Sequence, residues 1–168
     1  MSVPKSLGPM FMSNVRKYEV QRTNHFELRI DGLSDDITLA VESIGLPEVS
    51  NDPIELAYGN SKVKVAGQAT YNDVEFSVKD FIEADTEYEL WQWRNQVYNP
   101  ETDAIGWNNT YKRDGTIYQY GPDGTVLRKW KMLGLWPTNL SGGEMNYDGG
   151  DKKLISMTLS CDKAYIVR

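Results

Sequence analysis

One histidine and one cysteine in 168 residues leave few groups for chemistry. A Ser/His/Asp triad would have to use His25, and no serine sits in a strand-to-helix elbow of the Gly-x-Ser-x-Gly type. With no second histidine, a His-based metal cluster is excluded. Cys161 alone forms no intramolecular disulfide and no multi-cysteine zinc site; it reads as a small residue packed on a strand. No phosphate-cradling Gly-Lys-Ser/Thr loop occurs. The 24 acidic residues allow pairs of carboxylates to be imagined anywhere, so glycoside hydrolysis gets no specific support. Asp123-Gly124 and the run from Asp148 to Asp151 lack full EF-hand ligand spacing and read as turns. No catalytic, metal-ligating or cofactor-binding residue is assigned, and the chain is expected not to be an enzyme.

The formal net charge is −6 and the sequence pI about 4.8. Tight nucleic-acid binding needs phosphates neutralised by Lys and Arg, so this balance disfavours it, while an acidic surface lets DNA pass without sticking. The mean hydropathy is −0.53. No apolar run approaches the ~18 residues of a membrane helix. Pro4, Gly8 and Pro9 interrupt the first residues, so no secretory leader is expected. The length suits a single domain over 1–168, with residues 1–23 as an N-terminal arm.

The elements read as mainly β. Phe26, Leu28 and Ile30 alternate with polar residues, as a half-buried strand does. Asp31-Gly32 is a turn, and Ile37, Leu39 and Val41 read as a second strand antiparallel to the first. Residues 47–67 read as an extended hairpin turning at Gly59-Asn60. Val74, Phe76 and Val78 mark another strand. Residues 85–98 read as one amphipathic helix, started by Asp85 or Thr86, with both Trp91 and Trp93 buried on a sheet. Pro100 to Gly115 is a polar loop. Ile117–Tyr120 and Val126–Met132 flank Gly121-Pro122-Asp123-Gly124 as a hairpin. Trp136-Pro137 reads as a structural corner where a strand stops and an indole is buried. A last strand carries Ile155, Met157, Leu159 and Cys161. About seven strands and one helix result, as an antiparallel β-barrel or sandwich with one flanking helix.

Several segments, in order, carry a resemblance. Asn24-His25-Phe26 opens the first strand. Leu46-Pro47, Tyr58-Gly59-Asn60 and Val65-Ala66-Gly67 are followed by Tyr71-Asn72-Asp73-Val74. Leu90-Trp91-Gln92-Trp93 lies in the single helix, and Gly134-Leu135-Trp136-Pro137-Thr138-Asn139 precedes a polar loop and closing strand. From His25 to Tyr165 this resembles the tail tube proteins of contractile-tailed bacteriophages of the T4 type, related to inner tubes of contractile injection systems.

The resemblance implies a non-enzymatic subunit of homohexameric rings. The rings stack into a hollow tube inside a contractile sheath, in the virion tail, and conduct viral DNA on ejection. It implies as partners other copies of the chain, the sheath, a tape-measure protein, the baseplate hub and the tail terminator. DNA passes without specific binding, and there is no membrane insertion. Leu56, Ala57, Tyr58, Gly59, Asn60, Ser61 and Lys62 then become inter-ring contacts. Glu75, Ser77, Lys79, Ser156, Thr158 and Ser160 become lumen-lining candidates. The alternatives are the inner tube of an injection system that delivers protein, and a carbohydrate-binding β domain using loop aromatics such as Trp107.

Overall fold

The computed structural model describes residues 19–168; residues 1–18, most of the expected N-terminal arm, lie outside the described residues. Eleven strands and three helices form among the described residues. The alternation in Phe26–Ile30 produces β1, whose Leu28 and Ile30 are buried. The segment read as a second strand is instead helix α1, Asp35–Ala40, followed by strand β2, Val41–Ile44. Two aspartates in the first turn favour the helix there; Ser34, in the cap position, makes no cap hydrogen bond and instead donates its hydroxyl and N–H to Glu89. Its buried residues, Ile37 and Ala40, are three apart, whereas Leu39 is 73% exposed, so the decisive period is helical. β1 and β2 are not paired; they lie at opposite ends of the main sheet.

Strands β3 (Val49–Tyr58) and β4 (Ser61–Tyr71) pair only with each other. Gly59 has φ +61 at the first central position of the two-residue turn, where a II′ turn requires a positive φ. Pro53 sits within β3 at a register shift, a place where its missing N–H is tolerated. β5 (Val74–Lys79) buries Val74, Phe76 and Val78.

Helix α2, Thr86–Val97, buries Leu90, Trp93 and Val97. Only one tryptophan is in the core: Trp93 is 1% exposed, Trp91 40%. The stripe of Tyr88, Trp91 and Asn95 faces outward. The expected side-chain cap does not form; Asp85 is left-handed and makes no cap hydrogen bond. Thr86 instead turns back into the preceding loop. Its hydroxyl donates to the Lys79 carbonyl at 3.0 Å and accepts from the Phe81 N–H at 3.2 Å. The polar stretch after α2 holds the short strands β6 (Tyr98–Asn99) and β7 (Ala104–Ile105) and helix α3 (Asn108–Tyr111).

β8 (Arg113–Tyr120) and the 16-residue β9 (Val126–Ser141) form the expected hairpin. β9 does not stop at Trp136-Pro137 but runs through it. Proline fits because the pairing with β10 (Leu154–Ser160) shifts register beside it, from Thr158↔Asn139 to Leu159↔Pro137. The expected last strand is two: β10 and β11 (Lys163–Val167), both antiparallel to β9.

β9 therefore belongs to two wings. Its first part pairs β8 and β11, and β1 pairs β8; its last part pairs β10, then β5, then β2. The handover lies at Gly134, with φ +70, where a Cβ would come within 2.2 Å of Asp162 Oδ2. Both wings turn apolar residues into one core: Leu28, Ile117 and Met132 from the first, Phe76, Val78, Ile155 and Met157 from the second, closed by Ile37, Leu90 and Trp93 of the helices. The mainly β, one-principal-helix expectation holds. A barrel closed within the chain does not form, since the main sheet ends in the edge strands β1 and β2.

Candidate assembly surfaces

The second wing, β2-β5-β10-β9, separates its two faces cleanly. Inward are Val74, Phe76, Val78, Ile155, Met157 and Leu159, all buried. Outward, period-two alternation places polar side chains in register: Ser43 opposite Ser77, Ser77 opposite Ser156, Ser156 opposite Ser141, and Thr158 between Glu75 and Asn139. Ser43 and Ser77 hydroxyls lie 2.6 Å apart. These residues line a shallow polar depression of about 540 Å³.

Of the expected lumen candidates, Glu75, Ser77, Ser156 and Thr158 line it together. Lys79 stands at the end of β5 and lines a different groove, between β1 and β2. Ser160 lies opposite Trp136 at the other end of β10, outside the depression. Ser43, Asn139 and Ser141 join the face without having been singled out. Asn139 and Ser141 continue the alternation of β9 past the proline, a signal masked by reading Pro137 as a strand end.

The wing has two edges without a strand partner among the described residues. One is β2, which pairs only β5; the other is the end of β9, Trp136–Ser141, which pairs only β10. Beside this β9 edge lies α2. Unpaired backbone edges invite pairing with another chain.

The hairpin residues Leu56 to Lys62 are all exposed. Leu56 pairs Val63 and Ile54 pairs Val65, so these four side chains form one apolar face. Glu55, Lys62 and Lys64 occupy the other face, where Lys62 Nζ lies 3.2 Å from Glu55 Oε2. Covering one half-exposed aliphatic side chain contributes about 1 kcal/mol, and these four leave one face of the hairpin as an exposed apolar patch.

Trp136 is half-buried rather than enclosed, and Pro137 is buried. The indole meets Tyr111 edge-on with centroids 5.7 Å apart. Tyr111 in turn accepts the Trp93 indole N–H through its carbonyl at 2.7 Å. Arg113 lies over the Trp93 ring at 5.2 Å, and burial pushes its guanidinium pKa down. The corner thus ties α2 and α3 to β9, and each group in it has a packing role.

Titratable groups make structural pairs. The Glu27 carboxylate accepts the Tyr120 hydroxyl and pairs with Arg29, which holds its pKa below the usual carboxylate range. Lys153 bonds Glu87 and lies 3.4 Å from Asp80; the Glu87 bond raises its pKa. Burial raises the Cys161 thiol. Asp123 Oδ1 accepts from the Thr125 N–H and hydroxyl, closing the β8–β9 turn. No three His, Cys, Asp or Glu side chains converge as metal ligands among the described residues, and none of their helices is long and apolar enough to cross a membrane.

A sheet polar on one face with two open edges, beside a hairpin covered on neither face, defines a subunit built for assembly. The chain belongs to the T4-like virus tail tube protein gp19 family, whose model matches residues 22–164. It is 26% identical over 160 residues to the tail tube protein gp19 of Enterobacteria phage T4, covering 91% of this chain and 98% of that one. The phage T6 protein matches to the same extent. Among solved structures, a chain of the PVC sheath–tube complex of an extracellular contractile injection system shares the fold. Its TM-score is 0.73 at 21% identity, over 92% of this chain and 96% of that chain. A chain of the anti-feeding prophage cap gives 0.72 at 21% identity, over 89% and 91%. The chain is a structural protein of a virion tail, not an enzyme.

Proposed function

We propose that this chain forms homohexameric rings that stack into a hollow tube within a contractile sheath, and that the tube conducts viral DNA into the host. The observation that carries this reading is the β2-β5-β10-β9 wing, apolar inside, polar outside and open at both edges. Its strands alternate in direction, and their number is even, so β2 of one copy meets β9 of the next antiparallel. Repetition around a rotation axis closes the wings into one barrel without edges. The polar face with Glu75, Ser77, Ser156 and Thr158 then lines the lumen, where hydroxyls and a net-acidic subunit offer DNA no adhesive basic track. Lys79 and Ser160 fall at the rims of that wall.

The β3–β4 hairpin, with Leu56 to Lys62 at its tip, supplies the ring-to-ring contact. The other partners of this reading are the sheath, the baseplate hub, the terminator and a tape-measure protein filling the lumen before ejection. Relatives of this fold found in sheath–tube, cap and baseplate assemblies support the first three.

The likeness to injection-system assemblies favours a second reading, an inner tube that delivers protein. DNA-filled heads on purified particles separate the phage reading from it. For sugar binding, exposed Trp107 lines a depression containing no second aromatic ring. Negative-stain microscopy of the purified chain tests the proposal: stacked hollow rings support it, and a dispersed monomer at high concentration refutes it.

A further inference from the structure

The two sheet faces that point away from the core differ in charge. The polar face of the second wing holds hydroxyls, an amide and a single charged group, Glu75. The outer face of the first wing is basic, on a chain whose net charge is −6. One row sets Arg29 opposite Thr116, Thr116 opposite Lys131, and Lys131 opposite Tyr165. The next row of the same face runs Glu27, Tyr118, Lys129. Lys163 follows Tyr165 on the same side of β11. Leu28 and Ile117, between these rows, are buried, so the rows themselves face outward. Arg29, Lys131, Lys163 and Tyr165 are exposed.

The chain does little to neutralise this face. Glu27 is the one carboxylate in the two rows, and Arg29 and Tyr120 already hold it. Beside Lys163, Asp162 pairs with Lys112 at 2.8 Å, and the Asp114 carboxylate accepts the Gly134 N–H at 3.3 Å. Lys129 Nζ lies 5.5 Å from the centre of the Tyr118 ring. Lys131 and Lys163 enter no ion pair among the described residues. Lysines that only guard sheet edges would stand on β1 and β11. Lys129 and Lys131 stand on β9, which is flanked by β8 and β11.

We propose that this basic, tyrosine-bearing face is where the surrounding sheath docks, through an acidic segment of the sheath subunit. The ring wall proposed above, on which this rests, turns the polar face of the second wing to the lumen. The first wing, across the shared core, is then on the outside of the tube, where DNA in the lumen does not reach. Uncompensated cations clustered on that side attract an anionic partner, fix its position by charge, and repel basic ones. Exposed Tyr165 adds apolar area to the contact.

The test uses tubes of the full chain mixed with the sheath protein of the same particle. Negative stain reads the fraction of tube length that is sheathed, and circular dichroism checks folding. Lys131→Glu with Lys163→Glu should leave tubes of normal length and lower the sheathed fraction roughly tenfold or more at about 0.15 M salt. Lys131→Arg with Lys163→Arg should keep the coverage, and wild-type coverage should fall as salt rises. Charge-reversed tubes sheathed like the wild type would overturn the proposal, as would coverage indifferent to salt or lost equally in the arginine variant. If the reversed chain does not fold, Lys131→Gln with Lys163→Gln should give a partial loss, and unchanged coverage would overturn the proposal. A duplex DNA shift by the wild type that the reversal removes, with sheathing unaltered, would make this a nucleic-acid surface instead and overturn the sheath assignment. A wild type that forms no tubes refutes the ring reading and the docking with it; normal tubes whose sheathing ignores the reversal refute the docking alone.

Discussion

The β10 strand and the β3–β4 hairpin are written in the same period-two alphabet, yet one is core and the other solvent-exposed. Ile155, Met157 and Leu159 are buried because the other wing and two helices close over them. Ile54, Leu56, Val63 and Val65 alternate as regularly, yet remain about half-exposed because their sheet has no second layer. Alternation fixes which side chains share a face; it does not say whether the cover for that face lies in the same chain. An apolar face left bare by the fold is therefore the place to look for a neighbour.

Mutations should separate the two regions. Ile155→Ala should destabilise the subunit most, by about 2–4 kcal/mol in urea unfolding, because it empties a closed core. Gly134→Ala should cost about 2–3 kcal/mol, since it forces a left-handed φ on an L side chain and pushes a Cβ onto Asp162. A normal midpoint for Gly134→Ala would show that the handover between wings is more pliable than described. Trp136→Ala should cost about 2 kcal/mol by undoing the half-buried contact with Tyr111.

The hairpin should behave in the opposite way. Deleting Ala57 to Lys62 should shift the unfolding midpoint little yet abolish long tubes, leaving subunits or single rings under the microscope. Leu56→Ala should change monomer stability by less than about 0.5 kcal/mol and shorten tubes. Normal tubes from the deletion would remove the hairpin from the ring-to-ring contact.

A small effect is also expected on acid stability. The Glu27 pKa is lowered chiefly by the Tyr120 hydroxyl, so the pair stabilises the fold fully above the ordinary carboxylate range. That contribution is lost as pH falls through the lowered value. Tyr120→Phe should reduce stability near neutral pH by about 0.5 kcal/mol, a size set by solvent screening, and flatten the acid limb of a stability-against-pH curve. An unchanged limb would show that the pair carries no weight.

Much of this was legible in the residues. The strands around Phe26, Val74, Ile155 and the 117–132 hairpin followed from alternation and turn chemistry, as did the Gly59-Asn60 turn. Glu75, Ser77, Ser156 and Thr158 could be grouped because alternation puts them opposite known core positions. Among the readings that failed, three have plain physical reasons. Ile37, Leu39 and Val41 fit period two, but Ser34-Asp35-Asp36 starts a helix whose buried pair is Ile37 and Ala40. Pro137 reads as a stop, yet a register shift in the neighbouring strand lets β9 continue. Trp91 and Trp93 share a helix, but two positions on a helix are 200° apart, so only one can face the sheet.

The most direct test of the central claim is a reconstruction by electron microscopy of tubes assembled from the purified chain. The account predicts β2, β5, β10 and the end of β9 on the inner wall, with Ser77, Ser156 and Thr158 facing the lumen, α2 outside and the β3–β4 hairpin crossing to the adjacent ring. Tubes with α2 on the inner wall, or the polar sheet face turned outward, would contradict it.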